Sequence, residues 1–227
     1  MYDASTSLDV SLMTAASMET AVLSPAPAPV AVSRSKRIVD IFISLSALIL
    51  MLPLLLLIVL MIRIESPGAP AIFRQKRGGL NGKMFVIYKF RSMHVLEDGS
   101  RIEQATRNDS RVTKVGAFLR RSSLDELPQL MNVLKGDMSI VGPRPHALAH
   151  DKYYGSILPE YYSRTACKPG ITGLAQVRGY RGEIGDIKDM KLRVACDLAY
   201  IRSWSLALDI KLIVNTINRL PFDRSAY

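Results

Sequence analysis

The chain has 227 residues, 48% of them hydrophobic, and carries 30 Lys and Arg against 20 Asp and Glu, a formal charge of +10. This length allows one ordinary domain with an appendage, and the charge points to anionic partners: nucleic acid, acidic lipid or phosphorylated substrate. The two cysteines, Cys167 and Cys196, stand far apart and outside any CxxC or Cys/His spacing, which excludes a disulfide framework or cysteine zinc site and leaves them as buried apolar residues.

Residues 1–33 are rich in Ala, Ser, Thr and Pro and end in the alternation Pro25, Pro27, Pro29. They lack the basic segment and apolar run of a signal peptide and read as a disordered tail. A second unit spans residues 34–64. Its apolar stretch, 38–62, is broken only by Asp40, Ser44, Ser46 and Pro53. At ~1.5 Å per residue it is long enough for a hydrocarbon core of roughly 30 Å. Arg34, Lys36 and Arg37 precede it, and Arg63, Arg74, Lys76, Arg77, Lys83, Lys89 and Arg91 follow, so the positive-inside rule draws both ends toward the cytoplasm. Pro53 removes a backbone donor past the middle and bends the helix. A re-entrant membrane helix satisfies both facts; a tilted single span with a Pro kink is the alternative.

Residues 65–227 form the third unit, expected to face the cytoplasm. Residues 71–74 and 84–90 are β-rich and flank Asn81-Gly82, which predicts a hairpin. Helices are expected over 112–121 and 124–134, the latter ended by Gly136, and over about 187–202 and 206–219. In the last, Leu206, Ile210, Ile213, Val214 and Ile217 recur at helical spacing, as in a core-facing or membrane-resting stripe. The predicted fold is therefore α+β, mainly helical, with a small β-hairpin and an N-terminal re-entrant membrane helix.

Four segments carry candidate chemistry. In Ser123-Leu124-Asp125-Glu126-Leu127-Pro128-Gln129, Pro128 belongs in a first helical turn, which holds Asp125 and Glu126 at a helix N-terminus, where ionised carboxylates are favoured. An aspartate ionised there beside Arg120 and Arg121 is equipped to attack phosphorus or hold a divalent metal. Ser123-x-x-Glu126 also fits a capping box made for stability alone. In Gly142-Pro143-Arg144-Pro145 two prolines stiffen the backbone around Arg144, as phosphate recognition prefers. The run Lys168-Pro169-Gly170-Ile171-Thr172-Gly173 permits close backbone approach to a ligand, and Arg178 and Arg181 behind it are further phosphate candidates. Lys89 and Arg91 end the hairpin near the anchor, within reach of substrate or lipid phosphate.

Lys89-Phe90-Arg91-Ser92-Met93, Ser123 to Gln129, Gly136-Asp137-Met138-Ser139-Ile140-Val141-Gly142-Pro143-Arg144-Pro145 and Lys168 to Gly173, in this order behind a Pro-broken apolar segment, resemble the monotopic phosphoglycosyl transferases, the bacterial sugar transferase superfamily. The resemblance covers about residues 34–227. It implies transfer of a hexose-1-phosphate from a UDP-sugar to undecaprenyl phosphate with release of UMP, the first step of exopolysaccharide or capsule repeat-unit assembly at the bacterial inner membrane. It further implies Mg²⁺, a covalent phosphosugar-aspartate intermediate and a re-entrant anchor. Asp125 would be nucleophile and metal ligand, Glu126 the base for the lipid phosphate, Arg144 a phosphate holder, and Arg120 a tie between core and anchor.

The family's Asn-Gly-Arg or Ser-Gly-Arg is replaced here by Val177-Arg178-Gly179-Tyr180-Arg181-Gly182-Glu183. With His146 after Pro145, Met190-x-x-Arg193-Val194-x-x-Asp197-Leu198 and Trp204-Ser205-Leu206, this form is similar to the catalytic half of the branch that transfers glucose-1-phosphate; galactose-1-phosphate is the runner-up. Membrane lipids are expected partners, a homo-oligomer stays open, and no nucleic acid is expected, because no helix-turn-helix, zinc or RNP-like signature is present. The competing class, a basic membrane-tethered binding or scaffold protein, accounts for the charge but not for paired carboxylates at a Pro-defined helix start.

Overall fold

The computed structural model describes residues 28–94, 109–182 and 184–219. The chain runs α1 (Pro29–Val32), α2 (Arg34–Leu50), α3 (Leu52–Glu65), β1 (Ile72–Gly78), a 3-10 turn (Leu80–Gly82), β2 (Met84–Phe90), α4 (Lys114–Arg121), a second 3-10 turn (Leu124–Glu126), α5 (Gln129–Lys135), β3 (Ser139–Val141), α6 (Leu148–Ile157), a third 3-10 segment (Tyr161–Ala166), β4 (Gly170–Thr172), α7 (Leu174–Val177), α8 (Ile187–Ser203) and α9 (Leu206–Arg219). The fold is mainly helical with a small antiparallel hairpin, as expected; a short parallel pair, β3 with β4, was not anticipated. Cys167 and Cys196 are both buried thiols.

Helices α2 and α3 meet at 63°, and no single described helix is long and apolar enough to cross a membrane, although the bent pair together meets that length and composition. The break falls at Met51, ahead of Pro53, which occupies the first turn of α3, where its missing N–H leaves no bond unmade. Helix α2 is built inside out. Lys36, Asp40 and Ser44, at i, i+4 and i+8, are buried against the domain, while Ile38 (67%), Phe42 (71%) and Ile49 (66%) stand exposed. Two of the three buried polar groups are matched, while the Ser44 hydroxyl is buried without a partner. The Lys36 ammonium lies 2.7 Å from Asp209 of α9, and Asp40 accepts the backbone N–H of Ile140 at 3.0 Å. Arg37 donates to the carbonyls of Val133 (2.5 Å) and Leu134 (2.7 Å) in the last turn of α5, where helix carbonyls run out of intrahelical donors.

The anchoring unit begins before residue 34. Ala28 donates to the carbonyl of Ala166 at 2.9 Å, and Val30 of α1 is buried in the main core with Ile87, Val133, Met138 and Tyr200. The end of the stretch read as a tail is therefore packed structure; residues 1–27 lie outside those described.

Strand β1 runs further than the predicted 71–74 and pairs with β2 from Ile72↔Phe90 to Gly78↔Met84. Asn81 and Gly82 both take positive φ in the connection, the conformation their turn signal calls for. Asn132 of α5, fully buried, serves as a surrogate strand: its Oδ1 accepts the N–H of Tyr88 at 3.0 Å and its Nδ2 donates to the carbonyl of Val86 at 2.7 Å. The open edge of β2 is thereby fastened to α5, fixing the position of Lys89.

The helix expected over 124–134 is divided. A 3-10 turn carries Asp125 and Glu126, α5 starts only at Gln129, and Pro128 is its N-terminal flanking residue. Ser123 adopts φ +59° and its side chain caps nothing, so the capping box is not made. Gly136 ends α5 at φ +91° as expected. On α9 the stripe turns outward at Ile210, Val214 and Ile217, which are exposed, while Asp209 and Leu212 are buried, so a core-facing stripe is excluded at those three positions.

The glycines of 168–173, read as permitting approach to a ligand, instead admit backbone to backbone. Strands β3 and β4 pair Ser139↔Gly170 and Val141↔Thr172. A β-carbon on Gly170 would lie 2.1 Å from the backbone nitrogen of Gly142, and one on Gly142 2.4 Å from the carbonyl of Lys168. This contact seats the Pro143-Arg144-Pro145 loop. Gly170→Ala is expected to lower stability by about 2–3 kcal/mol, read as a drop in thermal midpoint, because rigid backbone on both sides leaves the methyl nowhere to go.

Candidate active site

Glu126 is 6% exposed, and its carboxylate is met by cations from three segments. Lys89, at the end of β2, reaches Oε1 at 2.9 Å. Arg144, between its two prolines, binds with both arms, Nη2 to Oε1 at 2.5 Å and Nη1 to Oε2 at 3.1 Å. Arg181, after α7, places Nη2 3.4 Å from Oε2. Burial alone would push this carboxyl up, but Arg144, Lys89 and Arg181 outweigh it and hold Glu126 well below the usual carboxylate range.

Asp125, the adjacent residue, is in the opposite condition. It is 8% exposed and takes no hydrogen bond from any described residue. Burial raises its carboxyl above the ordinary value against the pull of Lys89, and the charge on Glu126 adds to the rise. Arg120, at the end of α4, acts on Asp125 in the lowering direction, as does Arg181. A buried, unengaged carboxylate keeps its lone pairs for a ligand, whereas the one beside it is committed to holding three cations.

The structure thus gathers Asp125, Glu126, Lys89, Arg144 and Arg181, with the charge of Arg120 close by. It does not bring in the other two predicted arginines. Arg91 is buried but turned to the carbonyls of Met93 (3.0 Å) and His94 (3.1 Å), where it holds the chain leaving β2. Arg178 is exposed, with Nη1 3.7 Å from Cys196 Sγ. The dyad also precedes α5 rather than opening it, so the three cations, not a helix terminus, stabilise the charge on Glu126. The bent helix pair is tied to the rest of the domain by Lys36, Arg37 and Asp40, and by Glu65, whose carboxylate accepts the N–H of Val115 at 3.1 Å.

Two cavities flank the dyad, and Arg181 lines both. One, of about 440 Å³, is mostly apolar and runs from Ser123, Glu126 and Leu130 past Ile171 and Val177 to Thr216 and Arg219 of α9. The other, of about 140 Å³, is polar and lies behind Lys89 and Arg144 against Gln129, His146 and Arg193. These last three are the residues that sequence reasoning left without a role. Gln129 closes one motif already singled out, His146 adjoins another, and Arg193 stands in the Met190-x-x-Arg193 run, usable signals that said nothing of a shared cavity.

Among the described residues no group of three or more His, Cys, Asp or Glu is placed to hold a metal. Magnesium, however, is commonly held by one or two carboxylates together with substrate phosphates and water, and the unengaged carboxylate of Asp125 fits that requirement.

A dyad set on a turn behind a bent apolar helix pair, with Pro-Arg-Pro closing over it, defines a class. The chain belongs to the bacterial sugar transferase family, whose profile matches residues 31–222. It is 55% identical over 166 residues to the UDP-glucose:undecaprenyl-phosphate glucose-1-phosphate transferase of Caulobacter vibrioides, a match covering 73% of this chain and 62% of that protein. To the Escherichia coli protein of the same name it is 53% identical, over 73% of this chain and 36% of that one. With the exopolysaccharide production protein PSS of Rhizobium leguminosarum it shares 48% identity, over 69% of this chain and 80% of the relative. The chain thus spans less than two-thirds of the first two relatives.

Glu126→Gln is expected to cost about 3 kcal/mol, because Lys89, Arg144 and Arg181 lose their counter-charge in a buried site. Since the folded carboxyl lies below its ordinary value of 4.5, its contribution is present above that pH and lost as pH falls through the folded value. The difference in thermal midpoint between wild type and variant should accordingly be large near neutrality and close in acid.

Proposed function

We propose that the protein transfers a hexose-1-phosphate, glucose-1-phosphate first, from a UDP-sugar to undecaprenyl phosphate with release of UMP, opening repeat-unit assembly of an exopolysaccharide. The observation that carries this reading is the unequal dyad: one buried carboxylate left open beside another that fixes three cations. The names of the relatives supply the donor and acceptor.

In this reading an oxygen of Asp125 attacks the phosphorus that bears the sugar. The bond from that phosphorus to the bridging oxygen breaks, the electron pair leaves with UMP, and a phosphosugar-aspartate remains. A phosphate oxygen of the lipid then attacks the same phosphorus, and Asp125 departs as a carboxylate. Burial, which raises the basicity of Asp125, suits a nucleophile. Glu126 is a weak proton acceptor because its carboxyl is held so low; its service is to orient Lys89, Arg144 and Arg181 around the phosphates, where fixed positive charge stabilises the transferring group. Magnesium, held by Asp125, would supply further neutralisation of the diphosphate.

The inside-out α2 supports placement in the inner membrane, the bent pair entering and leaving on the cytoplasmic side. Exposed Ile38, Phe42 and Ile49 are unfavourable against water and favourable against hydrocarbon, while the charged groups of the polar stripe, Lys36 and Asp40, are already satisfied within the protein. The outward residues Ile210, Val214 and Ile217 of α9 add apolar surface.

Asp125→Asn should abolish UMP release and covalent labelling by UDP-glucose while leaving the thermal midpoint unchanged or higher, because a buried charge is removed. Label that persists in the variant would place the nucleophile elsewhere, and a higher kcat/KM for UDP-galactose than for UDP-glucose would reassign the donor. For the anchor, single cysteines introduced as Val32→Cys and Lys83→Cys are expected to react with an impermeant reagent only after the inner membrane is opened. Labelling of position 32 from the periplasm in intact cells would replace the re-entrant pair with a straight span.

A further inference from the structure

The small polar cavity beside Glu126 holds a conflict that a ligand would resolve. His146 is 6% exposed and has a guanidinium on each ring nitrogen: Arg164 Nη1 lies 2.8 Å from Nδ1, and Arg193 Nη1 lies 3.4 Å from Nε2. Burial, with Arg164 and Arg193 adding to it, holds this imidazole well below its usual value, so it is neutral. A neutral imidazole has one acceptor nitrogen and one N–H, whereas guanidinium only donates. Nδ1 also meets the hydroxyl of Tyr161 at 2.6 Å, which donates its own proton to Asp151 at 2.7 Å; of the two guanidinium contacts the shorter, from Arg164, makes Nδ1 the acceptor and leaves the proton on Nε2. Nε2–H and Arg193 then face one another as two donors with no acceptor between them, on the wall of the cavity.

Other groups there are equally unsatisfied. Arg193 is 5% exposed and its Nε is buried without a partner. Gln129 is 1% exposed, and both its amide nitrogen and its amide oxygen lack partners. A buried amide left so costs free energy unless something docks on it, and here it is joined by Lys89, Arg144 and Arg181 on the same cavity. What would satisfy all of them is rich in oxygen, anionic at one end, and able both to donate and to accept at the other. The space, about 140 Å³, holds roughly five waters, the scale of one sugar ring and not of a nucleotide.

We propose that this cavity seats the phosphorylated hexose of the donor, with the phosphate toward Arg144 and Arg181 and the sugar hydroxyls on Gln129, Nε2–H of His146 and Arg193. This rests on the transfer reaction proposed above and adds the sugar-binding residues to it. The nucleoside lies outside this cavity, so UMP does not touch Gln129 or His146.

The test compares binding of UDP-glucose and of UMP to the full chain in detergent. His146→Asn keeps an acceptor where Nδ1 was and removes the outward N–H; His146→Gln restores a donor at the Nε2 position and gives up the inner acceptor. Gln129→Leu removes an amide that has no protein partner, so its thermal midpoint should hold or rise. His146→Asn and Gln129→Leu are expected to weaken UDP-glucose by about tenfold or more with UMP unchanged, and His146→Gln to recover UDP-glucose affinity at a lower thermal midpoint. Should His146→Asn fail to fold, Gln129→Leu decides alone. Equal weakening of both ligands, or no weakening of either, overturns the sugar assignment while leaving the transfer reaction intact. A wild type that binds neither UDP-glucose nor UMP overturns both.

Discussion

Two neighbouring carboxylates are removed from water, and only one of them is given counter-charge. Most of the domain can be read as the means of arranging this. Lys89, Arg144 and Arg181 arrive at Glu126 from three distant segments, and each is placed by a different device. The side-chain amide of Asn132 fastens β2 and with it Lys89. Backbone contact between Gly142 and Gly170 seats the loop of Arg144. Arg181 follows the short helix α7, whose Gln176 donates to the carbonyl of Ile171 at 2.8 Å. Lone ion pairs in a protein interior contribute little net stability, so the cluster is better understood as fixing a geometry than as holding the fold together.

The inequality of the dyad also divides the surrounding space. On one side of Glu126 the walls are cationic and amide-bearing, on the other apolar and bounded by α9. The proposed reaction, which joins a polar sugar phosphate to a greasy phosphate, needs two such environments meeting at one phosphorus, and Arg181, which lines both cavities, stands at their boundary.

How much of this was legible in the sequence varies with the range of the forces involved. The hairpin, the stop at Gly136 and helices α8 and α9 follow from local turn chemistry and periodicity, and they appear nearly where expected. Asp125, Glu126, Arg144 and Arg181, which the fold gathers, could be singled out because each belongs to a short run with its own conformational logic. The division of the 124–134 helix was not legible, since Ser123 at positive φ is imposed by packing and not by preference. Arg91 and Arg178 turn away from the cluster, which was not legible because a basic residue near a motif says nothing about where its side chain points. The role of Asn132 and the β3–β4 pair depend on contacts across tens of residues, which no periodicity encodes. Burial on α2 is inverted relative to an aqueous helix, and hydropathy alone, blind to which face is covered, reported only that the segment is apolar.

The ion pair between Lys36 and Asp209 joins residues separated by 173 positions, and Asp209 also accepts hydrogen bonds from Tyr200 (2.8 Å) and Trp204 (3.0 Å). During translation the apolar helices therefore emerge long before the carboxylate that neutralises the lysine on their inward face. Until α9 leaves the ribosome, α2 carries an uncompensated charge on the surface it must bury, and its seat on the domain is incomplete. Helix α9 is thus the latch on α2, and a nascent chain stalled before it would hold α2 with its lysine still lacking a counter-charge.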